Sequence, residues 1–168
     1  MALMRILGLD PGTATTGYGV IDVNEDGSFT AVTYGAITTP ARHETPHRLQ
    51  TIHRELNELH DAYRPDKAAI EKLFFGRNVT TAISVGQARG VLILALADAG
   101  IPLGEYSPPK IKEAVTGYGK ADKHQVQLMV RNLLDLRETP RPDDAADGLA
   151  VAITHAQYQR FESLQSGA

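Results

Sequence analysis

The chain contains no cysteine. That excludes disulfides, zinc–thiolate centres and thiol nucleophiles. It also lacks a long hydrophobic run. The most apolar stretch, Gly90-Val-Leu-Ile-Leu-Ala-Leu-Ala97, is too short to span a bilayer, so no membrane association is expected. No signal peptide is expected either, because Met1-Ala-Leu-Met-Arg5 runs directly into a predicted strand. The expected compartment is the cytoplasm. Positive charge is not in excess: the net charge is −3 and the pI about 6.0. Such a balance argues mildly against a nucleic-acid binder, although net charge does not describe distribution. Repeats, low-complexity tracts and long linkers are missing. What remains is 168 residues, 42% of them apolar, which suits one domain with a substantial core. We place that domain at residues 1–160 and expect a flexible tail at 161–168.

Residues 4–10, 17–24 and 28–38 read as three strands, with Asp26-Gly27 as the hairpin turn between the second and third. A helix at about 46–63 follows, its Leu49, Ile52, Leu56, Leu59 and Tyr63 at helical spacing, and Pro65 ends it. Strand four is 67–72. A long helix runs from the N-cap Asn78 to about Ala99, with Gly100 as its stop. Strand five is 101–106, and Pro108 starts a short helix that Gly117-Tyr-Gly119 breaks. Asp122-Lys-His-Gln125 is a capping-box variant opening a helix to about Leu136, and a last helix ends near Arg160. Three antiparallel strands followed by strands parallel to the first give an α/β fold. Its sites belong at the C-terminal ends of the parallel strands.

Four acids stand out against this layout. Asp10 closes the apolar run Arg5-Ile-Leu-Gly-Leu-Asp10, and Glu71 closes Lys67-Ala-Ala-Ile-Glu71. If strands one and four are neighbours, these carboxylates meet. Asp144 and Asp147 open the last helix three residues apart and share a face. Each has an ordinary explanation: a turn residue for Asp10, an ion pair with Lys67 or Lys72 for Glu71, first-turn caps for the helix pair. Asp143 also shares a face with Asp147, and spacing alone does not separate Asp143 from Asp144. Taken together, acids at buried ends are costly unless compensated, and a cation is the common compensation. Oxygen-only ligands point to Mg²⁺ or Mn²⁺. A pair of such ions, roughly 3.5–4 Å apart, is the usual machinery for in-line attack on a phosphodiester.

Other motifs are weaker. The loop Asp10-Pro-Gly-Thr-Ala-Thr-Thr-Gly17 resembles the phosphate loop of actin-like ATPases and sugar kinases, but those need two such domains. Phe74-Phe75 beside Glu71, followed by Gly76-Arg77, could stack on unpaired bases, against a default of core packing. Lys110, Lys112, Lys120, Lys123 and Arg131 form a diluted basic segment suited to phosphate contact. His43, His47 and His53 lack acids at matching ligand spacing. His155 reads as a packed histidine that could still lie within reach of the acids. Gly86-Gln-Ala-Arg-Gly90 leaves one face of the long helix bare, open to a strand or a second subunit.

The ordered set of motifs resembles the bacterial RuvC-type Holliday-junction resolvases, which have a ribonuclease-H-like fold. The resemblance is carried by Gly-Leu-Asp-Pro-Gly-Thr at 8–13, Thr-Gly-Tyr-Gly-Val at 16–20 and Ala-Ile-Glu-Lys-Leu-Phe-Phe at 69–75. Gly-Gln-Ala-Arg-Gly at 86–90, Lys-Ala-Asp-Lys-His-Gln-Val at 120–126 and Asp-Ala-Ala-Asp-Gly-Leu-Ala-Val-Ala-Ile-Thr-His at 144–155 complete it. It implies a five-stranded mixed sheet with helices on both faces. It implies a catalytic, metal-binding quartet of Asp10, Glu71, Asp144 and Asp147, which selects Asp144 over Asp143. It implies DNA contacts through Phe74 and the lysines Lys112 and Lys123, to which Arg77, Lys110 and Lys120 are added from their position. The implied activity is paired, symmetric nicking of a four-way DNA junction by a homodimer with two Mg²⁺ or Mn²⁺ ions per site, leaving 5′-phosphate and 3′-hydroxyl ends. The implied partner is the RuvA–RuvB branch-migration complex. A related nuclease acting on RNA, and a junction binder without catalysis, are the alternatives.

Overall fold

The structure is a computed structural model and describes residues 2–74 and 78–167. Five strands form one mixed sheet: β1 (Ala2–Asp10), β2 (Thr15–Asn24), β3 (Phe29–Thr38), β4 (Lys67–Glu71) and β5 (Leu103–Tyr106). Their order across the sheet is β3-β2-β1-β4-β5. The β1–β2 and β2–β3 pairs are antiparallel, whereas β4 runs parallel to β1 and β5 parallel to β4. Helices α1 (Thr45–Tyr63) and α2 (Val79–Asp98) cover one face. Helices α3 (Pro108–Thr116), α4 (Lys123–Leu133) and α5 (Asp143–Ser166) lie on the other.

Strand periodicity sorts the two cores. In β1, Leu7 and Leu9 pack with Ile52, Leu56, Ala88 and Leu92 of α1 and α2. Ile6 packs instead with Leu149, Ile153 and the residues of α3 and α4. Asp10 has the same parity as Ile6 and therefore turns toward α5. In β4, Ala68 and Ile70 join the α1–α2 core and Ala69 the α5 core, so Glu71 turns toward α5 as well. Leu9 pairs with Ile70, which sets Asp10 and Glu71 side by side as the two strands end.

Local chemistry explains the helix boundaries. The Asn78 side chain caps α2 by accepting from the Thr81 N–H, and Ser107 caps α3 through Lys110 N–H. Asp122 and Gln125 form a reciprocal capping box on α4. Gly117 ends α3 with φ +80°, a left-handed turn that suits glycine.

Some boundaries differ from expectation. β5 begins at Leu103, because Ile101 N–H is used to close α2 on the Leu96 carbonyl. α4 ends at Leu133, where Asp135 takes φ +50° and turns the chain. α5 continues through Ser166, well past Arg160, although Phe161 and Leu164 are exposed and bury nothing there. α2 is 20 residues long and by length and composition alone could cross a membrane. Only one side of it meets the core. Val79, Ile83 and Leu94 are 57–62% exposed, so its apolar surplus lies on the outer face.

Candidate active site

α5 reaches the sheet by backbone contact. Gly148 faces Tyr18, and a methyl group built on Gly148 would lie 2.5 Å from the Tyr18 carbonyl carbon. On Gly8 it would overlap the Gly148 carbonyl, and on Gly17 the Asp144 carbonyl. Three glycines on two strands and the helix thus remove the spacing that side chains impose. This contact lays the first turn of α5 against the end of β1.

Asp10, Asp144 and Asp147 are brought together there. One carboxylate oxygen from each lies within 4.8 Å of the others. Among the described residues this is the one cluster of three or more metal-capable side chains. Glu71 stands beside Asp10 on its β4 side, close enough to hydrogen-bond with it. Asp143 is not part of that cluster; it is exposed and lies 3.8 Å from Lys123. Of the two, Asp144 is the one grouped with Asp10 and Asp147.

The electrostatics of the cluster are those of acids with too little counter-charge: Lys123 alone stands beside them among the described residues. Burial, then the neighbouring Glu71, pushes the Asp10 carboxyl up to about 8. Asp147 rises to about 7, again through burial first and Asp10 second, with Lys123 opposing. Without a cation such groups share protons rather than ionise together. The donor set is all oxygen, converging and partly desolvated, which is what a hard divalent ion requires. The residues present fit that role.

Asp10, Glu71 and Asp147 floor a cleft of about 290 Å³ whose wall carries Lys112 and Lys123 with Pro108, Ile111 and Val126. Lys123 Nζ lies 3.9 Å from Asp147. Lys110 and Lys120 are exposed and lie outside the cleft lining. Phe74 is 60% exposed beyond Glu71, so core packing is not its role. Phe75, Gly76 and Arg77 fall outside the described residues.

Two other readings meet the structure differently. His155 lies eight residues beyond Asp147 on α5, about 12 Å along the helix axis, and is not at the acids. It is buried, its Nδ1 engages the Tyr106 hydroxyl at 2.8 Å, and its Nε2 has no partner among the described residues. The glycine–threonine loop after Asp10 is held by internal hydrogen bonds, with the Gly12 N–H donating to Thr16 Oγ1. Thr13 and Thr16 are buried, and their hydroxyls donate to the Ser84 and Gly12 carbonyls.

The comparisons with known proteins agree with this geometry. The family model for crossover junction endodeoxyribonuclease RuvC matches residues 6–155. The chain belongs to the RuvC family of crossover junction endodeoxyribonucleases. It is 55% identical to the RuvC of Syntrophomonas wolfei over 166 residues, covering 98% of this chain and 96% of that protein. It is 53% identical to the RuvC of Brevibacillus brevis over 164 residues, covering 98% of each. A solved structure of Thermus thermophilus RuvC in complex with a Holliday junction substrate superposes with a TM-score of 0.90 at 37% identity, covering 95% of this chain and 97% of that one. The ribonuclease-H-like α/β fold and the nuclease class follow. RuvC nucleases depend on divalent metal, and the acid cluster can bind one.

Sequence reading missed Arg89. It donates from Nε to the Glu71 carbonyl at 3.4 Å and also pairs with the Glu105 carboxylate. Gly148 and Gly17 were not singled out as seating residues either. The only available signal was small residues recurring where a helix must meet a sheet.

Proposed function

We propose that Asp10, Glu71, Asp144 and Asp147 form the catalytic centre of a nuclease that resolves four-way DNA junctions by paired, symmetric nicks, leaving 5′-phosphate and 3′-hydroxyl ends. One observation carries this reading: three carboxylates from β1 and α5 converge within 4.8 Å, with Glu71 from β4 against Asp10. Asp10, Asp144 and Asp147 would hold Mg²⁺ or Mn²⁺, with Glu71 and Asp10 available to a second ion. When bound, the ions supply charge neutralisation of the acids and Lewis-acid assistance to phosphodiester hydrolysis.

The remaining side chains bind and orient. Lys112 and Lys123 on the cleft wall would take the phosphates flanking the scissile one, and Lys110, Lys120 and Arg77 would track the backbone further out. Phe74, exposed beside Glu71, would stack on a base unpaired at the crossover.

A homodimer would place two such centres on strands of like polarity. The outer face of α2 supports this. Ile83, Gly90 and Leu94 are exposed in one stripe, Gly90 has open space where a side chain would be, and a groove of about 630 Å³ lies between α1 and α2. A second copy packing α2 against α2 would cover it. The RuvA–RuvB branch-migration complex would be the partner in the cytoplasm.

The test is incubation with a mobile four-way junction in Mg²⁺ or Mn²⁺. Symmetric paired nicks are expected, with RNA and DNA duplexes left intact. An intact junction that nevertheless binds the protein would reduce the chain to a binder; preferential RNA cleavage would move it to another substrate.

A further inference from the structure

We infer that Arg89 is a positioning residue for the acid site, fixing the peptide that carries Glu71. The inference rests on the nuclease reading above. Pairing between β1 and β4 ends at Leu9 and Ile70. On the β5 side the ladder continues, with Glu71 opposite Tyr106 and Lys72 N–H donating to the Tyr106 carbonyl. On the β1 side no strand pairing among the described residues extends to the Glu71 carbonyl. Arg89 reaches up from α2 and donates Nε–H to it at 3.4 Å. The same guanidinium pairs with Glu105, the residue opposite Ile70 on β5.

The Arg89 side chain is 18% exposed and that of Glu105 is 42% exposed. The partly buried carbonyl contact is therefore better shielded from water than the carboxylate end. Rotation of the Glu71 peptide would swing its Cα–Cβ bond and withdraw the carboxylate from Asp10. A guanidinium is suited to resist this, because its rigid fork spans two acceptors at once, whereas an ammonium is a single point charge.

The same helix holds the other acid-bearing strand. Thr13, three residues past Asp10, donates its hydroxyl to the Ser84 carbonyl of α2. α2 thus grips the segments following both strand-end acids, at Ser84 and at Arg89, from the face opposite α5. Arg89 touches no reacting group. Its effect on the acids is through the backbone.

The experiment compares metal-free wild type, Arg89→Ala, Arg89→Lys and Glu105→Gln. Mn²⁺ binding is followed by loss of the free-ion electron paramagnetic resonance signal. Single-turnover junction cleavage is measured at stepped Mn²⁺, and junction affinity without metal. Arg89→Ala should weaken Mn²⁺ binding and slow cleavage by roughly 10–100-fold, the usual effect of losing a group that orients a metal ligand. Junction affinity should stay within about twofold, since no phosphate contact is lost. Arg89→Lys should recover only part of the Mn²⁺ affinity. Glu105→Gln, which keeps an acceptor for Arg89, should stay near wild type.

Wild-type Mn²⁺ binding and cleavage in Arg89→Ala would overturn the inference. So would a parallel loss of junction affinity, Mn²⁺ binding and thermal stability, which is the mark of general unfolding. If Arg89→Ala does not fold, Arg89→Lys decides, and a wild-type Mn²⁺ titration in that variant counts against it. A wild type that binds no Mn²⁺ and cleaves no junction would sink the nuclease reading and this inference together. Indifferent Arg89 variants beside an active wild type would remove the inference alone.

Discussion

Gly148 on α5 packs flat against Tyr18 on β2, with no room for even a methyl group between them. Gly148→Ala should therefore push the first turn of α5 off the sheet. Overpacking of this kind costs about 1–3 kcal/mol or more. Because Asp147 is the preceding residue, cleavage should fall further than stability alone explains. Thermal melting and single-turnover cleavage on the same preparation would check this, and a variant with full activity would show that the helix can shift freely.

Asp10→Asn should lower cleavage by roughly 10³-fold or more while junction binding persists. The same change should stabilise the metal-free protein. Folding raises the Asp10 carboxyl from 3.8 to about 8, so the folded chain binds that proton more tightly than the unfolded one. Stability from this group is present below pH 4 and drains away as pH climbs toward 8. Without metal, Asp10→Asn should melt several degrees above wild type at pH 8, and the gap should narrow by pH 5. A wild type with equal melting temperature at both values would contradict the burial argument.

Lys112→Ala and Lys123→Ala should each slow cleavage and flatten the salt dependence of junction binding, by about 0.9 or less in the logarithmic slope. Binding measured from low to moderate salt gives the slope directly. Identical slopes in wild type and both variants would remove these lysines from phosphate contact.

Leu94→Glu places a charge on the exposed stripe of α2, distant from the acids. Sedimentation of the wild type should give twice the 18.2 kDa chain mass, and the variant the single mass. Junction cleavage by the variant should yield unpaired nicks. A monomeric wild type would exclude α2 as the seam.

Burial, with Lys67 nearby, lowers the His155 imidazole to about 4 from its ordinary 6.5. Folding thus favours the neutral ring, and stability from this group is lost as pH falls from about 6.5 toward 4. A nitrogen-15 imidazole titration by NMR should place its inflection near 4. An inflection above 6 would mean that the ring is solvated.

Much of the fold was legible because periodicity and caps are local. The Asn78 and Asp122 caps needed no tertiary knowledge. The strand-end acids were visible because burial and charge conflict at Asp10 and Glu71. The choice between Asp143 and Asp144 was not local, since it depends on how α5 lands on Gly17 and Gly8. Arg89 lay within a quoted motif, but its role was not legible because its key partner is a backbone carbonyl, which every residue possesses. The extension of α5 past Arg160 escaped notice because its two apolar residues, Phe161 and Leu164, are exposed and pack on no core.

The acid site is assembled from distant parts of the chain, with Asp10 on the first strand, Glu71 near the middle and Asp144 with Asp147 on the last helix. During synthesis, a nascent chain that has emitted residues up to about 140 already carries two of these acids but nothing to face them. A chain truncated before α5 would carry the two strand-end carboxylates without the two on the helix. Placing the last two acids on the final helix would delay assembly of the proposed cutting centre until all five strands have been made.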